Sequence, residues 1–287
     1  MPEINANTYP ILVLCGRDLK RRELLEVLDP DGNYPSKVLL PMHGKRVMDW
    51  HLEALFASDY VGEICLIGLS PEEFPSSENL TFIPCELTST VLEKITTGAK
   101  YLQEKYPEQE HLIVSTGDAP GILSESIDTF IETLIKDQEI DVLLAGAPED
   151  GILEVFPEHG RVLGKFKDQS VTPGELMAYR YSILPKLKDE IEQLTVRRRE
   201  FNRRSDTSKL IPLMRYLAKK PRLWVLIGKY LSGNLSIPDT EKILSKAYDM
   251  KLRAVVINDP GFGMDMDLPE DYQKLTDYVE KIKILKT

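Results

Sequence analysis

With 287 residues, 42% of them hydrophobic and 29% charged, the chain carries enough apolar material for a sizeable core, in one large α/β domain or two small ones. A formal net charge of −10 argues against general DNA or RNA binding, which rests on Lys and Arg neutralising many phosphates, but leaves room for a small anionic substrate held by a local cluster of cations. No window approaches the roughly 18 apolar residues that span a bilayer, Met1 to Tyr9 lack the layout of a signal peptide, and Cys15, Cys65 and Cys85 show no CxxC spacing, so a cytoplasmic protein with buried thiols is expected.

Tyr9 to Cys15 is a continuous apolar run ending at Gly16, as expected for a strand buried on both faces of a parallel sheet. Arg17 to Ser36 is charged and turn-rich, with Asp29-Pro30-Asp31-Gly32-Asn33, and is read as a loop before a helix at Arg46 to Phe56. Strands follow at Glu63 to Ile67 and Leu80 to Ile83, then a helix at Thr90 to Tyr106. The next strand starts at His111 and ends at Ser115-Thr116-Gly117-Asp118, followed by a helix at Ser124 to Ile135 and a strand at Asp141 to Leu144. This alternation predicts a mainly parallel sheet over the first 150 residues. Beyond it the pattern predicts short strands at Leu153 to Val155, Arg161 to Phe166 and Glu175 to Tyr179, and a helical insertion from Ile183 to Met250. A strand at Arg253 to Ile257 and a terminal helix at Glu270 to Ile284, with Pro269 in its first turn, complete the chain as a single domain.

Ligands of open parallel sheets bind outside the carboxyl ends of the strands, and three segments fall there. Cys15-Gly16-Arg17 and the stretch Pro35 to Arg46 offer a glycine for close backbone approach, with Arg17 and Lys37 as cations for a triphosphate. Gly117-Asp118-Ala119-Pro120 puts a carboxylate at a strand end, as a cation ligand or as a turn or cap residue. In Gly261 to Asp271 an extended backbone places Asp265 and Asp267 on one face, where both can reach one cation; the alternative makes Asp267 or Leu268 the cap of the last helix and leaves Asp265 solvated.

In this order the segments resemble the nucleotidyltransferases of the nucleotide-diphospho-sugar transferase fold, in the branch similar to molybdenum-cofactor guanylyltransferase. The resemblance spans most of the chain and rests on Pro35 to Lys45 (with Ser36 inserted before Lys37), Gly117 to Pro120 and Asp265 to Asp271. It implies a Rossmann-like three-layer α/β/α architecture and an enzyme that moves a nucleotidyl group from an NTP to a phosphorylated small-molecule acceptor with Mg²⁺. By position it makes Lys37 the triphosphate contact, Asp118 one metal ligand and Asp267 the second, with Asp265 as its competitor. Thr90 matches the family's base-binding serine or threonine, and Cys15, Gly16 and Gly117 join the nucleotide site. The glycine-rich loop departs from the pattern, with one glycine before Arg17, so that Arg21 or Arg22 is an alternative to Arg17. A nucleotide-sugar-dependent glycosyltransferase and a non-catalytic nucleotide-binding module are the rival readings.

Arg198 and Arg203, within the Arg-rich part of the insertion, and Arg161 are candidates for the acceptor's phosphate, against a solvated face. The apolar stretch Leu223 to Leu231 is expected in the core, the alternatives being a homodimer contact or a membrane-bound acceptor. The four histidines lack ligand spacing.

Overall fold

The computed structural model describes residues 8–17, 23–75, 79–157, 164–188 and 220–284. Its centre is β1 (Tyr9–Leu14), paired in parallel with β4 (Val61–Ile67) on one side and β6 (His111–Thr116) on the other. The period-2 alternation of a strand decides the two cores. Ile11 and Val13 face α2 (Val47–Phe56) and α4 (Ser124–Lys136), meeting Met48, Leu52, Ile127 and Phe130. Leu12 and Leu14 face α3 (Val91–Lys105), meeting Ile95, Ala99 and Leu102. Every one of these residues is buried, which is why β1 reads as an unbroken apolar run.

The sheet order is β10-β7-β9-β6-β1-β4-β5, with β5 at Leu80–Ile83, β7 at Val142–Pro148, β9 at Ser170–Arg180 and β10 at Leu252–Val256. A short β8 (Gly164–Lys165) pairs with β9. All pairings among β10, β7, β6, β1, β4 and β5 are parallel, whereas β9 runs antiparallel between β6 and β7. The mainly parallel α/β/α expectation is met, with β9 as the exception.

Several elements differ from the sequence reading. Leu153 to Val155 is the end of a helix, α5 (Glu149–Val155), which begins after Pro148 with two acidic residues in its first turn. Leu153-Glu154-Val155 is too short to fix a period, and the helix start behind Pro148 with its acidic first turn decides instead. The Arg17 to Ser36 loop contains α1 (Glu23–Leu28), whose Leu24 and Leu25 are buried with Met264, Met266 and Leu275 of the C-terminal part. The region read as insertion contributes α6 (Pro221–Leu231) and α7 (Ile237–Tyr248) among the described residues. Helix α7 lies along the edge strand β10, and its Glu241 accepts the Ala254 N–H at 2.8 Å. The expectation that Leu223 to Leu231 packs in the core is overturned: Leu223 alone of that stretch is buried. The terminal α8 (Pro269–Val279) widens into a π-helical turn at Glu280–Ile284.

Candidate active site

The Pro35 to Lys45 stretch folds as a 3₁₀ turn, Lys37–Leu39, followed by a two-residue hairpin between β2 (Pro41–Met42) and β3 (Lys45–Arg46). His43 and Gly44 both have positive φ, 48° and 76°, as such a tight turn requires. Val38, Leu39, Leu40 and Met42 are buried, so the stretch is anchored by its apolar residues. Ser36 Oγ donates to the Gly16 carbonyl and draws the turn against the end of β1.

Lys37 then meets two carboxylates from distant parts of the chain. Its Nζ lies 2.6 Å from Asp118 Oδ2 and 2.5 Å from Asp267 Oδ1. Asp118 follows β6, where the Gly117 N–H donates to the Leu14 carbonyl. The C-terminal segment is tied to the same edge by the Met266 N–H, which donates to the Asp118 carbonyl at 3.2 Å. Close approach helps, since a Cβ on Gly261 would lie 2.1 Å from the Gly121 carbonyl oxygen. Met264 and Met266 point into the core while Asp265 and Asp267 alternate to the other side. One oxygen each of Asp118, Asp265 and Asp267 lies within 4.8 Å of the others. Asp271 supplies the carboxylate that caps α8, accepting from the Leu268 and Asp267 N–H groups at 2.9 and 3.2 Å, which leaves the Asp267 carboxylate to the cluster.

Burial by itself would push the Lys37 ammonium down, but Asp118 and Asp267 outweigh it and its pKa stands above the ordinary lysine value. Asp118 shows the converse: burial favours its acid form, yet the adjacent Lys37 holds it below the usual Asp value. The pair is therefore ionised throughout the physiological range.

Arg17 faces away from this cluster. Its Nε donates to the Gly68 carbonyl at 3.2 Å and its guanidinium pairs with Glu73. Arg17, Glu73 and Lys94 line a cavity of about 590 Å³, together with Leu69, Phe82 and Cys85 near the carboxyl ends of β4 and β5. Lys94 Nζ donates to the Cys15 carbonyl at 2.7 Å. Sequence reading missed Lys94 although a signal was present: it falls on the buried face of α3 with Ile95, Gly98 and Leu102, where an unpaired charge is costly. Thr90 is the N-cap of α3, its Oγ1 accepting the Glu93 N–H at 3.3 Å, and it does not line the cavity. Cys15 is fully buried, and burial pushes its thiol up to about 12, so it is inert as a nucleophile. Arg161, Arg198 and Arg203, like Arg21 and Arg22, lie outside the described residues.

A second missed residue is His51, on the inner face of α2. The Ala119 carbonyl only accepts, so Nδ1 carries the proton and donates at 3.1 Å, and Nε2 accepts the Ser115 hydroxyl at 2.9 Å. The ring thus fastens both ends of the turn that presents Asp118. Burial, above all, lowers its pKa to about 4 from the ordinary 6.5. Because the folded value is depressed, the contribution of neutral His51 is complete above pH 6.5 and is lost as pH falls toward 4. That shift corresponds to about 3 kcal/mol. Urea unfolding between pH 7 and 4 should show this loss in the native protein and a flatter profile in His51→Gln; identical slopes would remove His51 from the acid response.

No protein-family model matches the sequence, and no curated protein matches it. Solved structures do match the fold. A hypothetical transferase from Thermus thermophilus is 23% identical, with TM-score 0.68, over 92% of this chain and 99% of that one. A CMP:2-keto-3-deoxy-manno-octonic acid synthetase complexed with CTP is 13% identical, with TM-score 0.56, over 96% and 99%. A nucleotidyl transferase from Methanothermobacter thermautotrophicus is 12% identical, with TM-score 0.54, over 96% and 100%. The chain shares the α/β fold of these proteins along nearly its whole length.

Proposed function

We propose that the protein is a Mg²⁺-dependent nucleotidyltransferase that moves an NMP group from an NTP to a phosphorylated small molecule, in the branch similar to molybdenum-cofactor guanylyltransferase. The observation that carries the reading is the convergence of Lys37, Asp118, Asp265 and Asp267 at the carboxyl edge of the sheet, from three segments far apart in sequence. The fold is that of a protein named as a nucleotidyl transferase and of a synthetase solved with CTP, which supports the same chemistry here.

Three carboxylates with oxygens within 4.8 Å form a hard, all-oxygen donor set that fits Mg²⁺, which prefers carboxylate and phosphate oxygens. Asp118, Asp265 and Asp267 would hold the ion, and its chemistry there is to neutralise phosphate charge. The rest belongs to the chain. Lys37, released from its carboxylates, offers its ammonium to the phosphate oxygens of the triphosphate. The cavity beside Arg17 and Lys94 receives the nucleoside end, separated from Lys37 by the Cys15-Gly16 corner of β1. An acceptor phosphate oxygen attacks the α-phosphorus in line, forming one P–O bond as the bond to the β-phosphate oxygen breaks and pyrophosphate leaves.

Pyrophosphate release should require NTP, Mg²⁺ and a phosphorylated acceptor together. Release of a nucleoside diphosphate from a nucleotide sugar would establish a glycosyltransferase instead. Tight NTP binding with neither release would make the protein a nucleotide-binding module.

A further inference from the structure

Lys94 is a buried cation held by a single contact. It lies on the inner face of α3 and is 6% exposed. Its Nζ donates to the Cys15 carbonyl at 2.7 Å, which among the described residues is its one hydrogen-bond partner, and no carboxylate pairs with it there. An ammonium carries three N–H donors, so two of them are unused by the protein in a place where an unmet donor is costly. A Cβ on Gly68 would lie 2.8 Å from Nζ, which sets the ammonium against the Gly68 wall of the cavity of about 590 Å³ that both residues line.

The rest of the lining distinguishes the kinds of ligand that fit. Arg17 and Lys94 are balanced by Glu73 and Glu86, so the cavity has no net charge to draw in an anion, and Arg17 is already paired with Glu73. Phe82 and Leu87 supply apolar wall, and Leu87 is 57% exposed, with surface for a ligand to cover. A flat, uncharged ring that carries hydrogen-bond acceptors matches both the apolar wall and the unused donors, in a volume within the range of about 300–1,000 Å³ of small-molecule sites. On the proposed function, which this inference presupposes, that ring is the base of the NTP. We infer that Lys94 makes the site selective for a base with a ring carbonyl (cytosine, uracil or guanine), whose oxygen accepts the unused N–H groups, and turns it against adenine. Adenine has no carbonyl: it carries an amino group where guanine carries its oxygen, and would set N–H against N–H. A site built around a hydrogen bond to one group discriminates against the analogue that lacks it, because its own buried polar group is then left unmatched.

Titration calorimetry of the full chain with CTP, UTP, GTP and ATP, each with Mg²⁺, reads this preference without turnover. At least one of the first three should bind about 10–100-fold more tightly than ATP, the scale of one charge-assisted hydrogen bond. In Lys94→Met the ratio should collapse toward one, through lost affinity for the preferred nucleotide and not for ATP. Methionine leaves the Cys15 carbonyl without its donor, so Lys94→Gln, which keeps a donor for it, is measured beside it and should narrow the ratio even if the methionine variant does not fold. ATP bound as tightly as the best of the others overturns the inference and leaves the proposed reaction standing. An unchanged ratio in the folded variants overturns it too, and so does an equal loss for all four nucleotides, which would reduce Lys94 to a structural tie. Absence of binding by any nucleotide sinks the proposed function, and the inference with it.

Discussion

Asp118→Asn and Asp267→Asn should each lower turnover by about 10²–10³-fold, the usual scale for removing one pre-organised electrostatic contact from a phosphoryl-transfer site. The two do not carry the same structural cost. Asp118 is 14% exposed and sits 2.6 Å from Lys37, so its neutral replacement leaves a largely buried ammonium with one carboxylate fewer, costing about 2 kcal/mol of stability. Asp267 is 49% exposed, and its replacement should change stability little. A double variant should be no slower than the slower single one, because residues that hold one group act as a unit. Asp265→Asn then ranks the two C-terminal carboxylates: an inactive Asp265→Asn beside an active Asp267→Asn would reverse their roles. Wild-type turnover in both Asp118→Asn and Asp267→Asn would remove the cluster from the mechanism.

The fold was legible in sequence where one physical signal dominated. β1 is buried on both faces and spells its position in six apolar residues, and α3 combines apolar spacing with a Thr90/Glu93 capping box. β9 was read short because Pro173 and Gly174 lie inside it, both unfavourable in a strand; the pairing with β7 shifts register there. The carboxylate cluster was legible because alternation in Asp265-Met266-Asp267 needs only an extended backbone. Arg17 was read as a triphosphate contact with Lys37, but it pairs with Glu73, 56 residues away, and nothing local announces that partner. His51 was hidden for a related reason: its meaning comes from Ser115 and Ala119, which only tertiary structure brings to α2.

Lys37→Met is expected to give the most informative phenotype, because Lys37 now lies between two of the carboxylates assigned to a cation. Methionine keeps most of the side-chain volume and removes the charge, leaving Asp118 and Asp267 without their ammonium. Breaking a largely buried pair in this way costs about 3–5 kcal/mol near neutral pH. The sign of the Asp118 contribution to the pH response should change as well. In the native protein Asp118 is depressed, so its contribution is present above the ordinary Asp value and lost as pH falls through the folded one; Lys37 is raised, so its contribution is complete below the ordinary lysine value and lost as pH rises through its own. Without Lys37, burial favours the protonated carboxyl of Asp118, and the variant should lose less stability than the native protein as the solution is acidified from neutral, since the His51 loss is common to both. On the proposed reading Mg²⁺ and the ammonium compete for the carboxylates of Asp118 and Asp267, whereas the variant would offer them without that competition. Added Mg²⁺ should therefore raise the melting temperature of Lys37→Met more than that of the native protein, by the mass-action term RT ln(1 + [L]/Kd). Turnover should fall in the same variant, since the triphosphate loses its ammonium contact. Equal Mg²⁺ responses in the two proteins would show that the cation and Lys37 do not share these carboxylates.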